Sequence, residues 1–577
     1  MSLTKALQIR SLPSAPASVH DQQAKIRMIL AAHWMQDHKA VVLTWLVGFS
    51  VTVAGCMVYA LPQMASSADP VMVRLLASRI VFVNLVAQLV MTAALLRDRT
   101  QRLLQEFFTA PAHPLNLAVF RVVLFYSFLM SVRLDEIVRY SQLPAGLRVT
   151  PEGIGRLLLH LPINESWARA ASILLMGCCW TGMLGVFSRT SALLAALLGT
   201  YALGIPQCFG KVNHYHHLIW FALILAASRC GDALSLDAFI AARRRAKQDL
   251  TQAPVGSQVY GLPLRFVWLL MGVLYFFPGF WKVWTSGFDW ALGDNLRFQL
   301  YAKWFELDGW MPFFRIDHYP LLYRLAGLGT LIFETSFIIL VFFPRLRPLA
   351  VSSGLAFHTM TKTFMRISFA SLELSYVTFV DWHALGQRIG RLHVWPVQAL
   401  IARLHRSETG VSTGRWLERH QRSVGQAVGR VDAIPRAVAW VGILLVSVNL
   451  WFGFRNVMKA WPFACYPTFA RIARPEVTSL TMVALDASGN AIPFNESLLK
   501  QELSSERWRG MTRTILSTKD DERRARRLNA FWRMWVTHEP GFQRATTVRF
   551  YQDTVSTVPE QRGKNPLKRE LLLDVAL

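Results

Sequence analysis

Apolar residues in this chain gather into runs of roughly 17–23 residues, about the length a helix needs to cross a hydrocarbon core. A lipid interior offers no water to satisfy backbone N–H and C=O groups, so such runs are confined to helices that bond within themselves. Taken with their flanking charges, the runs give about eleven candidate spans: 40–61, 75–96, 116–132, 168–187, 190–207, 213–228, 263–281, 321–343, 348–363, 367–380 and 436–454. Only 17% of the 577 residues are charged and 53% are hydrophobic, which excludes an ordinary soluble domain, where about a quarter are charged. The fold class expected is an all-α polytopic membrane protein of about 9–11 transmembrane helices with a small α+β extramembrane C-terminal domain.

The formal net charge of +26 would suggest nucleic acid in a soluble protein, but here the cations sit between apolar runs. Segment 97–106 holds Arg97, Arg99 and Arg102, segment 229–262 holds "RRRAK", and segment 381–435 holds Arg388, Arg391, Arg403, Arg406, Arg415 and Arg422. The intervening loops, 133–167 and 282–320, mix acids with their bases. By the positive-inside rule the N-terminus is cytoplasmic, the tail after 454 lies outside, and the basic loops meet anionic lipid, with no nucleic-acid partner. Residues 1–39 lack the pattern of a cleavable signal, so the run from Ala40 is expected to be an uncleaved anchor. A bacterial plasma membrane is the expected location.

The layout that follows is a cytoplasmic segment 1–39, additional membrane helices at 40–114, a membrane domain at 115–385, a basic cytoplasmic loop at 386–435, a final span at 436–454 and an extracytoplasmic domain at 455–577. In that last part "VTSLTMVAL" alternates like a strand, "DASGN" reads as a turn, "ATTVRFYQD" reads as a second strand, and an Arg-rich helix lies between. The run "DERRARRLNAFWRMW" fits a solvated helix face better than a binding device. The six cysteines show no CxxC, zinc or disulfide spacing.

Three polar clusters interrupt the apolar spans, and the topology brings them to one face: "KVNHYHHLIW" with Asn213 and His214, Lys282 within "YFFPGFWKVW", and "FHTMTKTFMRISF" with His358. Ionisable groups at membrane depth are costly and are functional candidates. Each also has a plainer reading: Lys282 can snorkel toward headgroups beside Trp281, Trp284 and Trp290, Asn213 and His214 can cap a helix start, and His358 can be a satisfied core histidine. His214 and His217 share a helix face, but without a nearby carboxylate or cysteine they make a poor zinc site, and no metal is expected. Neither a GxSxG nor a nucleotide-binding fingerprint is present.

Several stretches, "KVNHYHHLIWFALILAASRCGDALSLDAF", "YFFPGFWKVWTSGFDW", "FETSFIILVFF" and "LAFHTMTKTFMRISFASLELSYVTFVDW", occur in the order and spacing of the HTTM family, the horizontally transferred transmembrane domain. The chain resembles that family over roughly residues 115–385, and the family's founding member is the vitamin K-dependent gamma-glutamyl carboxylase. Counting from Tyr275, Lys282 falls on the lysine that acts as base in the carboxylase motif, while Trp281 replaces that motif's first lysine. Asn213 and His214 match an Asn-His pair of the active centre, and His358 matches a later "FH". The resemblance therefore implies catalytic roles for Lys282 and His214, with Asn213, Tyr275, Trp281 and His358 toward the cofactor.

It implies reduced vitamin K or a similar hydroquinone as cofactor, with oxygen and carbon dioxide as co-substrates. The hydroquinone anion would capture oxygen and become a strong base that removes a glutamate γ-proton. Such chemistry needs an uncharged amine at Lys282, the form that a desolvated pocket favours. The tail is too short to reproduce the carboxylase's lumenal substrate-binding portion, so a secreted peptide or protein is the substrate class expected. The alternative is a non-catalytic membrane factor for maturation or export of a secreted peptide, or for protection against one. A transporter is disfavoured, because no matching halves carry paired Gly- or Pro-broken spans.

Overall fold

The computed structural model describes residues 39–65, 69–149, 151–210, 215–246, 256–391, 434–463, 469–493, 503–563 and 565–577. Asn213, His214, Cys465, the first 38 residues and most of the basic loop at 386–435 lie outside the described residues. Among those described, seven stretches are long and apolar enough to cross a membrane: Lys39–Met57, Pro70–Leu95, Pro114–Ser131, Ser188–Cys208, Gln258–Ser286, Pro320–Leu340 and Arg436–Phe454. This is fewer than the 9–11 expected. Helices Glu165–Leu184 and Arg347–Met365 do form over the runs 168–187 and 348–363, but Ser, Thr, Gly and charged residues dilute them. Helix His216–Ala227, over the run 213–228, has 12 residues and is too short to cross alone. The run 367–380 is not a span: it breaks into helix Ala370–Leu374 and the 3-10 turn Ser375–Phe379, five residues each.

The chain divides into two compact units, Met1–Gln101 and Arg102–Leu577. In the first, helices Lys39–Ala65 and Pro70–Leu95 pair through polar groups. The Trp45 indole donates to Thr92 Oγ1 at 2.8 Å, and the Asn84 amide donates to the Gly48 carbonyl and to Thr52 Oγ1. Gly48 leaves the space that the Gln88 amide occupies, since a Cβ there would overlap it. Small residues that admit polar groups between helices are a usual adhesive in membranes.

In the second unit a fully buried arginine ties three segments together. Arg121, on helix Pro114–Ser131, donates to the Cys230 carbonyl at 2.8 Å, to Ala233 at 3.3 Å, to Met183 at 3.5 Å and to Leu234. Those carbonyls close helix Glu165–Leu184 and the turn after helix His216–Ala227, where no helical donor remains for them.

Helix Gln258–Ser286, 29 residues long and buried along most of its length, is the axis on which the others pack. Its contact with helix Pro320–Leu340 runs through glycines. A Cβ on Gly272 would come to 2.9 Å from the Ile338 side chain, and one on Gly279 to 2.8 Å from the Glu334 Cβ. A single phenylalanine, Phe277, fills the space left by Gly453 on helix Arg436–Phe454, where a Cβ would come to 2.0 Å from its ring.

The C-terminal part is a three-stranded antiparallel meander, β1 (Glu476–Leu485), β2 (Thr547–Ser556) and β3 (Lys568–Ala576), in the order β1-β2-β3. Register runs from Glu476 opposite Ser556 to Leu485 opposite Thr547. The first two strands and the helix Asp521–His538 between them are the elements expected from alternation and composition. That helix buries Leu528, Phe531, Trp532 and Trp535 and exposes Arg523, Arg526 and Arg533. The third strand, "KRELLLDVA", was not anticipated. It is largely exposed, so the period-two alternation that marks a half-buried strand is missing.

Tryptophan and tyrosine donors fasten this part to the helical core. Tyr140 Oη donates to the Leu503 carbonyl at 2.6 Å, Trp220 Nε1 to Pro462 at 2.8 Å and Trp461 Nε1 to Thr200 at 2.8 Å. A further link starts from the loop before helix Pro320–Leu340. Arg315 grips both oxygens of buried Asp317 at 2.8 and 2.7 Å and also reaches Glu560 at 3.1 Å.

Burial alone would push the Asp317 carboxyl up, but hydrogen bonds from Arg315 and Tyr301 outweigh it and hold the group below its ordinary range. A depressed carboxyl contributes stability that is fully present above the unfolded value of ~3.9 and is lost as pH falls through the lower folded value. Hydrogen exchange across residues 307–319 is therefore expected to be flat from neutral pH to about 4, after correction for intrinsic rates, and to rise below that. Asp317→Asn should exchange faster than the parent from neutral pH to about 4, lose the acid-dependent step, and converge with the parent at lower pH.

Candidate active site

Helix Gln258–Ser286 delivers two polar side chains to an otherwise apolar interior, Tyr275 and, two turns further on, Lys282. Between them Pro278 lacks an N–H, which leaves the Leu274 carbonyl without its helical donor. Leu274, Tyr275, Pro278 and Lys282 all line one cavity of about 110 Å³, room for several water-sized guests. Phe357, Phe369, Phe469 and Trp290 contribute aromatic wall, and His216, His217, Gln299, Glu334, His358 and Thr361 contribute polar atoms.

Lys282 does not snorkel. Its Nζ donates to both carboxylate oxygens of Glu334, at 2.6 and 2.7 Å, and lies 5.0 Å from the Trp290 ring centroid. The two side chains are only 4% and 5% exposed, so neither charge is shared with bulk water. The close approach at Gly279 is what makes the pair this short, since Glu334 sits directly across from that glycine. Glu334, within "FETSF", is not among the site residues expected from the sequence. The available signal was a lone carboxylate inside a long apolar run, which at membrane depth demands a partner.

Tyr275 is the centre of a second polar cluster. Its hydroxyl lies 2.6 Å from His358 Nε2 and 3.0 Å from the Tyr376 hydroxyl. Gly354 leaves the space that Tyr376 occupies, since a Cβ there would come to 1.9 Å from the hydroxyl oxygen. His358 Nδ1 is buried and has no hydrogen-bond partner among the described residues. The tautomer follows the direction of the first bond. If Tyr275 donates to Nε2, Nδ1 carries a proton it can donate, and in the opposite case Nδ1 is an acceptor.

The structure thus brings Tyr275, Lys282 and His358 to one cavity. Asn213 and His214 lie outside the described residues, but the histidines that follow them, His216 and His217, are at the wall. Trp281 is not among the lining residues: its indole donates to the Gly453 carbonyl at 2.8 Å and fastens the final span. Among the described residues no three His, Cys, Asp or Glu side chains gather to hold a metal ion.

One wall is supplied from far along the chain. Residues 469–473, which follow the final span, are held by the region just after Lys282. Thr285 and Ser286 donate to the Ala470 carbonyl at 2.8 and 2.7 Å, Trp290 to Phe469 at 2.6 Å and Gln299 to Arg471 at 2.8 Å. The side chain of Asn295 accepts from Ala473 N at 2.8 Å.

Comparison with known proteins gives one match. The family model of the HTTM domain matches residues 157–381, a region that contains Tyr275, Lys282, Glu334, His358 and Tyr376. No curated protein and no solved structure matches the chain.

Removing one partner of a buried ion pair leaves the other charge uncompensated. Glu334→Gln is therefore expected to lower stability by about 3–5 kcal/mol, while the double change Lys282→Met with Glu334→Leu should recover most of it. Thermal unfolding of the three proteins in detergent reads the difference. Equal losses in single and double variants would mean that the two side chains are not coupled.

Proposed function

This chain carries an HTTM domain, and from that premise we propose that the multi-pass membrane protein is a vitamin K-dependent carboxylase-like enzyme. It would use a lipid-soluble hydroquinone to modify a secreted peptide or protein on the outer side of a bacterial plasma membrane. The N-terminus would then be cytoplasmic, the sheet domain outside and the basic loops against anionic lipid, as the loop charges suggest. The observation that carries the reading is the coincidence of a buried Lys–Glu pair and a buried His–Tyr–Tyr cluster on one aromatic-walled cavity among apolar helices.

The residues fit a reduced quinone. Aromatic wall accepts a flat ring, and His358 Nδ1 is an orphaned polar atom that a ring hydroxyl would satisfy. When bound, the hydroquinone supplies the reducing equivalents and, with oxygen, the strong base that abstracts a substrate proton. Lys282 Nζ would be the group that accepts a proton from a ring hydroxyl held in this cavity. It can serve only when uncharged, and Glu334, in contact through both oxygens, takes the ammonium proton beforehand. In a low-dielectric interior the pair is neutral overall in either form, so moving that proton creates no net charge. The Tyr376–Tyr275 hydroxyl pair holds the His358 ring in place through Nε2. Closure of the cavity by Phe469 and its neighbours limits water, which would quench a strong base.

The mutual saturation of Lys282 and Glu334 favours a second reading, a non-catalytic factor in which the pair is structural and the cavity recognises a secreted peptide. Turnover separates the two. Protein in nanodiscs, given reduced quinone, oxygen and labelled bicarbonate, is expected to form quinone epoxide. Lys282→Arg keeps a charge but no usable base, and Glu334→Gln removes the relay; each should lower the rate by about 10²-fold or more at unchanged membrane insertion. Absence of epoxide from the parent protein with every quinone tried removes the enzyme reading and leaves the binding factor.

A further inference from the structure

At the other end of helix Gln258–Ser286, roughly 25 Å from Lys282 at 1.5 Å per residue, two arginines share one aromatic platform with no acid beside them among the described residues. The Arg265 guanidinium carbon lies 4.0 Å from the Trp268 ring centroid and that of Arg347 lies 4.8 Å from it. Both also lie near Phe107, at 5.8 and 6.0 Å, so the two cations are neighbours. Arg265 is only 7% exposed, and Arg347 is half-buried. The platform itself is fixed: Phe379 stacks on Trp268 with centroids 4.5 Å apart, and the indole donates to Thr378 Oγ1 at 3.0 Å.

Each arginine spends its Nε–H on a main-chain carbonyl, Arg265 on Phe107 at 3.2 Å and Arg347 on Val341 at 2.9 Å. Those are the hydrogen bonds each makes among the described residues, and neither forms an ion pair there, so the Nη groups of both forks are uncommitted. Two like charges withdrawn from water repel one another. Contact with an aromatic face returns only part of what that withdrawal costs. Planar forks with free Nη donors match the paired oxygens of a phosphate, whose negative charge offsets their mutual repulsion.

We propose that Arg265 and Arg347 form a binding site for a phosphate group, held over the Trp268 platform and separate from the Lys282 cavity. The phosphate is that of an anionic phospholipid headgroup or of a soluble phosphate. The site is independent of the enzymatic reading above, and its test does not use turnover.

Full-length protein in detergent is titrated with phosphatidylglycerol, phosphatidylcholine or inorganic phosphate. Native mass spectrometry reads lipid retention, and the shift in melting temperature reads all three. Phosphatidylglycerol is expected to be retained as one molecule per chain and to stabilise more than phosphatidylcholine. Arg265→Gln and Arg347→Gln should each weaken that binding at least tenfold. Arg347→Lys, which keeps the charge but not the fork, should lie between, and Arg533→Gln, at an exposed position of the sheet domain, should bind as the parent does. Stabilisation by inorganic phosphate alone, lost in the same variants, supports the site with a soluble source. Binding of neither probe by the parent, or equal binding by parent and both Gln variants, overturns the proposal.

Discussion

A lysine and a glutamate facing each other away from water set the terms for the rest of this structure. Either charge alone at that depth would be prohibitive, so helices Gln258–Ser286 and Pro320–Leu340 must meet at one rotation and one height. Gly272 and Gly279 let the two backbones come close enough for that meeting, and helix Arg436–Phe454 then packs by accepting Phe277 and the Trp281 indole. A buried pair adds little net stability compared with a well-packed apolar one. What the pair does contribute is a proton that can sit on either side chain without net charge, the property on which the proposed enzyme reading rests.

Much of this fold was legible in the sequence, because membrane helices advertise themselves through length and hydropathy alone. The final span was read at its observed bounds, 436–454, since nothing within it competes with that signal. The misread at 367–380 has a local cause. "ISFASLELSY" is apolar enough to count, yet it caps and packs around Tyr376 instead of continuing as a helix, and composition carries no record of that. In the sheet domain β1 and β2 showed themselves by alternation, while β3 pairs through its backbone at an exposed edge.

The site was legible in part for a similar reason. Tyr275, Lys282 and His358 stand out as polar residues in greasy surroundings, and the structure places all three on one cavity. Glu334 stands out equally by that criterion. What the sequence could not convey was pairing, since residues far apart in the chain become partners only through helix packing. Arg265 and Arg347 illustrate the same limit: each reads as a basic residue near a helix start, and only the shared Trp268 ring makes them a unit.

The short strand of chain at 469–473 sets where this molecule can be divided. It lies well past residue 381, where the family resemblance stops, yet Phe469 is part of the chamber and its neighbours are sewn to the helix that bears the lysine. A fragment cut to the family boundaries would therefore be a vessel with one side missing. The evolutionary unit and the working unit differ here, and the sheet that follows is less an appendage than the far anchor of that closing seam.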